Sequence, residues 1–262
     1  MMKHTLAVLA ASTLSVPLMA QRTAPPAPAP VDAKVAALRD AALKDDVAYD
    51  IVEGMTTEIG PRLAGTEAEA RARAWSVTKL KALGFKNVRI EPYQMPVWVR
   101  GVETGSILAP FPQALKLTAL GNSGATPVGG LTAQVVVFKT YGDLAAAPAG
   151  SLAGKIAYVG NAMEPTQDGS SYGAFGPARF VGPAMAASKG AAAIVIRSIG
   201  TDHHRNPHTG TTNFPEGVTP IPAAALSVPD AELIERIATR GKPITMTLVL
   251  TPRMPPPGRH RS

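Results

Sequence analysis

The sequence predicts an α/β protein in two parts, a helical segment that runs into short strands and a compact unit of alternating strands and helices. Apolar residues recur at helix spacing near the start of the chain and at every second position in later segments, which is strand spacing. The 24 glycines and 25 prolines among 262 residues indicate many turns and exclude a long helical bundle. This length suits one large domain or two modest ones.

The first 30 residues have the composition of an export signal followed by a linker. Lys3 precedes a short apolar run, residues 6–19, that ends at the small residue Ala20. This pattern predicts a signal peptide over residues 1–20 and an exported protein, periplasmic or secreted, with no membrane anchor after cleavage. Residues 21–30 are rich in proline and alanine and predict an extended linker.

Helical spacing and capping signals follow the linker. The first helix is indicated by four apolar residues spaced four apart: Leu43, Val47, Ile51 and Met55. Thr66 and Glu69 have the spacing of a capping box, so a second helix is predicted to begin at Thr66 and to end before Gly84. Val88 and Ile90 alternate with charged residues and predict a strand that leads toward Tyr93.

A turn-rich stretch, residues 121–130, predicts a domain boundary. Residues 31–120 then form the first part and residues 121–252 the second. The last ten residues, 253–262, contain three consecutive prolines and no periodicity, and they predict a disordered tail.

The second part reads as a compact α/β unit. Four apolar or alternating runs predict its strands: 133–138, 155–159, 192–196 and 244–250. One helix is predicted to begin at Pro183 and to close at Gly190, and another is predicted to be capped by Ser227 and to end at Gly241.

Charge and cysteine content exclude several classes of function. The formal net charge of +7 falls to +3 when Lys3, Arg253, Arg259 and Arg261 are left out. Only 5% of the residues are aromatic, and no dense basic run is present, so no nucleic-acid partner is expected. The absence of cysteine excludes disulfides, thiolate catalysis and cysteine-ligated zinc.

Residues 169–173, GSSYG, match the G-x-S-x-G pattern of a hydrolase nucleophile. That motif requires a strand immediately before the serine and a helix immediately after it. The preceding residues are polar, and no helix is predicted before Pro183. A flexible loop is therefore the favoured interpretation, and no catalytic residue is assigned.

A polar loop contains four residues of the types that bind zinc: Asp202, His203, His204 and His208. His204 and His208 are four apart, as in a zinc-binding helix, but Asn206 and Pro207 between them disfavour a helix. No glutamate stands at the general-base position. The favoured interpretation is a loop beside the site of a larger enzyme, with His208 as a candidate substrate-binding residue. A metal site made by these four residues is the alternative.

Several motifs together resemble the family 28 metallopeptidases, in particular their carboxypeptidase Q group. The motifs are TTEIGPRLAGT (56–66), PVWVRGVE (96–103), GPARFVGPAMAASKGAAAIVIRSIG (176–200), PHTG (207–210) and IPAAALSVPDAELIER (221–236). The resemblance covers the chain from about residue 31 to residue 250. It implies an α/β peptidase domain into which a protease-associated domain is inserted. Residues 31–120 would be the front of the peptidase domain, and residues 121–252 the inserted domain.

The resemblance also implies an exopeptidase in which two zinc ions act on short peptides. The metal-ligand motifs of such enzymes follow the inserted domain, and none of them occurs in this sequence. The chain is therefore expected to be an inactive N-terminal part of an exported zinc exopeptidase, with zinc implied by the family but not ligated here.

Two further functions stay open. The chain could be a stand-alone protease-associated domain that binds peptides or proteins, or a periplasmic metal-binding protein that uses His203, His204 and His208. If residues 31–120 belong to a larger sheet, their strand edges are exposed, and self-association through these edges is expected.

Overall fold

The chain is described by a computed structural model that covers residues 31–254 and 260–261. It divides into two compact units, Met1–Ile51 and Val52–Ser262. The predicted signal peptide and linker lie outside the described residues. Among the helices of the described part, none has both the length and the apolar character needed to cross a membrane.

The first unit contains helix α1 (Ala33–Ala42) and the start of helix α2 (Val47–Gly54). The face predicted for one helix, from Leu43 to Met55, is therefore divided between α1 and α2. The break is capped locally, because the side chain of Asp45 accepts a hydrogen bond from the Val47 N–H. Leu43 lies at the end of α1 and is exposed, and α1 buries none of its side chains.

The second unit begins within α2, continues through a π-helical turn, Met55–Ile59, and then forms helix α3 (Glu67–Ala82). The predicted start of this helix is confirmed, because the hydroxyl of Thr66 accepts a hydrogen bond from the Glu69 N–H. Its predicted end is confirmed as well, since Gly84 has a φ of +92° and turns the chain out of the helix.

Most of the second unit is one eight-stranded sheet. Its strands are β2 (Glu103–Ala109), β3 (Gln113–Leu115), β4 (Leu117–Ala119), β5 (Leu131–Phe138), β6 (Ile156–Val159), β7 (Ala193–Arg197), β8 (Ala223–Leu226) and β9 (Thr245–Leu250). Their order is β3-β2-β9-β5-β6-β7-β8-β4. Strands β5 to β8 are parallel to their neighbours in that series, and the other pairs are antiparallel. Only Lys116 separates the two edge strands β3 and β4, so the sheet curls until its edges meet.

The predicted boundary between residues 120 and 121 does not coincide with a break in this sheet. Strand β2 pairs with β9, and β4 pairs with β8, so strands from both sides of the boundary are hydrogen-bonded to one another. The turn-rich stretch is part of this structure, because the N–H of Gly124 donates to Ile221 O and that of Thr126 donates to Leu250 O. The strands at 103–119 therefore pair within the chain, with β3 and β4 as the two edge strands of the sheet.

Helices cover both faces of the curled sheet. They are α4 (Tyr141–Ala146), α5 (Tyr172–Phe180), α6 (Gly182–Ser188) and α7 (Val228–Thr239). One core cluster includes Tyr158, Leu248 and Ile234, and a second includes Leu144, Ala186 and Ile194, so the sheet has an apolar layer on each side. The helix predicted at Ser227 is confirmed, since its hydroxyl accepts a hydrogen bond from the Asp230 N–H.

The segment after α3 is extended, but little of it forms strands. The strand predicted at Val88 and Ile90 is absent, and only β1 (Pro92–Tyr93) is formed; it pairs antiparallel with β10 (His260–Arg261). Val99 and Arg253 also form an isolated antiparallel bridge. Residues 253 and 260–261 of the predicted disordered tail therefore pair through their backbone with the segment that follows α3. Residues 255–259 lie outside the described part.

Candidate functional site

The carboxyl ends of strands β5 to β8 lie at one edge of the sheet, where open α/β sheets bind their ligands. Ser198 follows β7 directly at this edge. Its hydroxyl donates a hydrogen bond to Leu226 O at 2.6 Å and accepts one from the His208 N–H at 2.8 Å. The polar loop, residues 201–210, is therefore attached to the ends of two parallel strands.

An ion pair attaches the same loop at a second point. Arg205 Nη2 donates to both carboxylate oxygens of Asp230, at 2.8 and 3.0 Å. Asp230 is buried and also accepts hydrogen bonds from the Ser227 hydroxyl and the Lys116 N–H. With these two attachments, the position of the His208 side chain is set by the ends of the sheet.

His208 meets two side chains of helix α5. The Tyr172 hydroxyl lies 2.9 Å from His208 Nε2, and Arg179 Nη1 lies 2.6 Å from the Tyr172 oxygen and 3.4 Å from His208 Nε2. Tyr172 and Arg179 are seven residues apart, or two helical turns, so they share one face of the helix. Tyr172, Arg179 and His208 are called the Tyr–Arg–His cluster below.

The guanidinium of Arg179 lies between aromatic rings and backbone. Its Cζ atom is 4.6 Å from the ring centre of Phe180 and 5.5 Å from that of Tyr172. A Cβ atom at Gly210 would lie 2.9 Å from Arg179 Nε, so only glycine lets the backbone approach this closely. Gly210 is held in place because its carbonyl accepts a hydrogen bond from the Gly121 N–H.

The charge of Arg179 is buried and has no negative partner among the described residues. The residue is 6% exposed, and among the described residues no carboxylate lies within ion-pair distance of it. Its Nε atom is buried and has no hydrogen-bond partner there. Arginine only donates hydrogen bonds, so the Tyr172 oxygen and His208 Nε2 act as acceptors. The donor pattern therefore assigns the ring proton of His208 to Nδ1.

The other members of the predicted metal-binding set have separate partners. His204 Nδ1 lies 3.2 Å from Asp202 Oδ1, and His203 Nδ1 lies 3.8 Å from Glu232 Oε1. His208 belongs to the Tyr–Arg–His cluster. Among residues 31–254, no group of three or more histidines and carboxylates is placed to hold a metal ion. The loop thus does not fit a zinc site, and no chemical step through zinc is assigned to it.

The G-x-S-x-G segment does not have the geometry of a nucleophile. Helix α5 begins at Tyr172, immediately after Ser171, so the prediction that no helix starts before Pro183 is wrong. The predicted loop interpretation of the serine still agrees with the structure, because β6 ends at Val159, well before the motif. The Ser171 hydroxyl donates to the Glu164 carbonyl at 2.5 Å and is not directed at a histidine.

Sequence reasoning missed Tyr172 and Arg179. Arg179 is the only charged residue in the segment 169–188, which otherwise holds small, apolar and uncharged polar residues. A single arginine among small and apolar residues indicates that its charge lies in the core. Arginine is almost never fully buried unless it is paired, so such a residue is a candidate for a site.

A second arginine, Arg197, is half-buried at the end of β7. Arg197 donates to Glu232 Oε1 at 3.0 Å and to Glu235 Oε2 at 3.3 Å. Burial works against ionisation of Glu232, but the hydrogen bond and charge of Arg197 outweigh it and lower the pKa of this carboxyl. Burial, reinforced by Glu235, raises the pKa of Tyr158 well above its ordinary value, and the Tyr158 hydroxyl donates to Glu235 Oε1 at 2.6 Å.

Comparison with known proteins gives sequence relatives of one kind. The chain is 34% identical to carboxypeptidase Q of Bos taurus over 200 residues, which are 76% of this chain and 41% of that protein. Carboxypeptidase Q of Homo sapiens is 32% identical over 76% of this chain and 41% of that protein. The chain thus spans about two fifths of the length of these curated relatives. No protein-family model matches it.

Solved structures agree with this result. The crystal structure of a peptidase M28 precursor from Shewanella amazonensis SB2B matches with a TM-score of 0.82 and 48% identity, over 87% of this chain and 52% of that one. A zinc aminopeptidase from Bacillus subtilis matches with a TM-score of 0.52 and 20% identity, over 79% of this chain and 43% of that one, and shares its fold. By sequence and by fold, the chain belongs to the family 28 metallopeptidases and is similar to their carboxypeptidase Q group.

Proposed function

We propose that this chain is part of an exported zinc-dependent exopeptidase that acts on short peptides. The observation that carries the proposal is the match to the Shewanella amazonensis peptidase M28 precursor, at 48% identity and a TM-score of 0.82. Carboxypeptidase Q, at 32–34% identity, supports the same reaction class. Export is proposed from the signal-peptide pattern of residues 1–20.

The proposed contribution of this chain is binding, with the metal chemistry supplied by other residues of the peptidase. Metal-ligating side chains do not converge in residues 31–254, and the histidines of the polar loop have separate partners. The Tyr–Arg–His cluster is instead suited to hold a polar group of a substrate, since His208 is exposed and Tyr172 is half-buried. By itself, the chain is therefore proposed to be inactive.

The unit that carries the cluster is proposed to be a protease-associated domain. It would include strands β2 to β9, because these strands form one sheet and share its two cores. Under this proposal the domain begins by Glu103 and not at residue 121, and the polar loop at its carboxyl edge is the peptide-binding side.

A chimera tests the proposed function. The segment of the Shewanella amazonensis peptidase that matches this chain is replaced by residues 31–252, and hydrolysis of a set of dipeptides is measured with added zinc. We expect zinc-dependent hydrolysis that a chelator abolishes. In a parallel assay, the full chain of 262 residues with zinc is expected to give no turnover.

The unmodified Shewanella amazonensis peptidase is the control for both assays. A chimera that shows the thermal unfolding transition of that control but hydrolyses no dipeptide would contradict the proposed function. Strong zinc-dependent turnover by the full chain alone would contradict the proposal that the metal chemistry lies in other residues.

A stand-alone binding module is the second candidate. It is favoured by the attachment of the polar loop at Ser198 and Asp230, which gives a formed site without any contribution from another domain. This candidate and the peptidase proposal differ in the chimera experiment. A stand-alone module predicts peptide binding by the full chain together with an inactive chimera.

Self-association is part of the proposal for the partners of this chain. It is supported by exposed apolar side chains near the start of the described residues, such as Leu38 and Leu43, and by the edge strands β3 and β4, each of which pairs on one side only among the described strands. Sedimentation velocity over a concentration series tests it, and a constant monomer coefficient would count against it.

A further inference from the structure

The buried charge of Arg179 requires a counter-ion. An unpaired buried charge is costly, since removal of a charge from water is repaid only by a close opposite charge and by hydrogen bonds. Arg179 is 6% exposed and forms hydrogen bonds only to Tyr172 and His208 among the described residues. Neither of these two partners, as the donor pattern assigns them, carries a negative charge.

The surroundings of Arg179 are built to keep its guanidinium in place. The Phe180 ring packs against it, Gly210 leaves space for it, and Tyr172 accepts a hydrogen bond of 2.6 Å from Nη1. A side chain held in one orientation binds a ligand with little further loss of rotamer freedom. The arrangement is therefore preorganised on the side where Nη1 meets Tyr172 and His208.

The same side is the one from which a ligand can arrive. His208 is exposed and Tyr172 is half-buried, and both lie over Arg179 Nη1. The Tyr172 hydroxyl can turn to donate to an incoming oxygen, so a ligand there meets donors from both Arg179 and Tyr172. Arginine donors in a planar fork match a carboxylate, and a single cation matches its single negative charge.

We infer that Tyr172, Arg179 and His208 form a binding site for the carboxylate of a short peptide. The inference rests on the proposed function, because that function supplies peptides as ligands. In this site Arg179 neutralises the carboxylate, Tyr172 donates a second hydrogen bond, and His208 covers the opening.

Titration calorimetry on the full chain at neutral pH tests this site. The probes are N-acetyl-dialanine, which has a free carboxylate, and the same compound with a C-terminal amide. We expect the acid to bind at least about tenfold more tightly than the amide, because only the acid supplies the counter-ion. Arg179→Met should weaken binding of the acid by about tenfold or more, and Tyr172→Phe should weaken it by a smaller factor.

His204→Ala is the matched control, because His204 lies in the same loop but is exposed and paired with Asp202. It should leave binding of the acid unchanged. Arg179→Lys is a second variant that keeps the charge and loses the planar fork, and it should bind the acid more weakly than the wild type. It also provides the test if Arg179→Met does not fold.

Three results would overturn the inference: equal binding of acid and amide, wild-type binding by the folded Arg179 variants, or no saturable binding of the acid. The last result would point to a carboxylate of the polypeptide as the counter-ion in place of a peptide. The chimera separates this failure from that of the proposed function. An active chimera without carboxylate binding by the chain rejects the site alone, and an inactive chimera with carboxylate binding rejects the peptidase proposal alone.

Discussion

Arg179 is buried and Arg197 is half-buried near the carboxyl edge of the same sheet, and the two arginines differ in their counter-charges. The side chain of Arg197 is 10% exposed and is paired with Glu232 and Glu235. Arg179 is 6% exposed, and its partners are a phenol and an imidazole. Each of the two has an Nε atom that is buried without a hydrogen-bond partner, so the difference lies in charge and not in hydrogen bonding at Nε.

The charge of Arg197 therefore stabilises the fold, whereas the charge of Arg179 is the one that the proposed peptide carboxylate would neutralise. The two glutamates of Arg197 come from α7 and join that helix to the end of β7. Arg179 joins α5 to the polar loop, but its positive charge is not used by any described carboxylate. The two arginines should therefore respond in opposite ways when the charge is removed.

Arg197→Met should cause the largest loss of stability. It would leave Glu235 without its cation and Glu232 with the exposed Arg236 as its one remaining arginine partner among the described residues, and the loss of one partner of a fully buried pair costs about 3–5 kcal/mol. The two glutamates keep some contact with water, at 28% and 36% side-chain exposure, so we expect about 2 kcal/mol. Urea unfolding at neutral pH measures this free energy.

Arg179→Met is the matched variant for that measurement. Removal of an unpaired charge with retention of an unbranched side chain should change the free energy of unfolding by less than about 1 kcal/mol, in either direction. Equal losses of unfolding free energy in the two variants would show that Arg179 has a counter-ion in the folded chain. That result would contradict the proposed difference between the two arginines.

Gly210→Ala should cause the next largest effect, because the new Cβ would lie 2.9 Å from Arg179 Nε. Overpacking of this kind costs about 1–3 kcal/mol, and we expect the lower end, since the arginine can shift. Gly173→Ala is the control, because Gly173 lies in α5 with no neighbouring atom within 4 Å of the new Cβ. Equal unfolding free energies for the two alanine variants would argue against close packing at Gly210.

Tyr158 and Glu232, which belong to the hydrogen-bonded group around Arg197 and Glu235, should make the stability of the fold depend on pH. The folded-state pKa of Tyr158 is raised above its ordinary value of 10.0, so its contribution is present below pH 10 and is lost as the pH rises. The pKa of Glu232 is lowered from 4.5, so its contribution is present above that pH and is lost as the pH falls.

Tyr158→Phe tests the alkaline side of this dependence. It should cost about 1 kcal/mol at neutral pH, through the lost hydrogen bond to Glu235, and should flatten the decline of stability above pH 10. Glu232→Gln is the corresponding change on the acid side. Urea unfolding from pH 3 to pH 11 would detect both effects, and an unchanged alkaline decline in Tyr158→Phe would assign that decline to other groups.

The smallest effect is expected from His203→Ala combined with His204→Ala. Both histidines are exposed, and their carboxylate contacts lie at the surface, so stability should change by less than about 0.5 kcal/mol. Zinc affinity, measured by calorimetry on the metal-stripped chain, should also stay within about twofold. A large loss of zinc affinity would restore the metal-binding alternative.

Local signals were enough to predict many elements of the fold. Thr66 and Ser227 begin helices as predicted, because their hydroxyls satisfy the free N–H groups of the first turn. The runs at 133–138, 155–159, 192–196 and 244–250 all contain strands; β6 and β7 are buried on both faces, whereas β9 alternates between buried and half-buried positions. Val88 and Ile90 have the same local pattern but form no strand, since no neighbouring strand pairs with them.

The Tyr–Arg–His cluster could be predicted only in part. His208 was a candidate because histidines are rare and were concentrated in one loop. Arg179 and Tyr172 were missed because helix α5 contains Pro177 and follows a Gly/Ser run, which together predict a loop. Their relation to His208 depends on the placement of α5 beside the carboxyl end of β7, which no local pattern encodes.

Residues that are close in the chain are enough to predict the α/β class, the ends of α3 and α7, most of the strands and the resemblance to family 28. Long-range contacts are needed to show that strands on both sides of residue 120 share one sheet, and which of the two arginines has a described counter-ion. Arg179 and Arg197 look alike in the sequence. What distinguishes them is the presence of α7 glutamates beside one and a phenol and an imidazole beside the other, and such long-range contacts are set only when the chain folds.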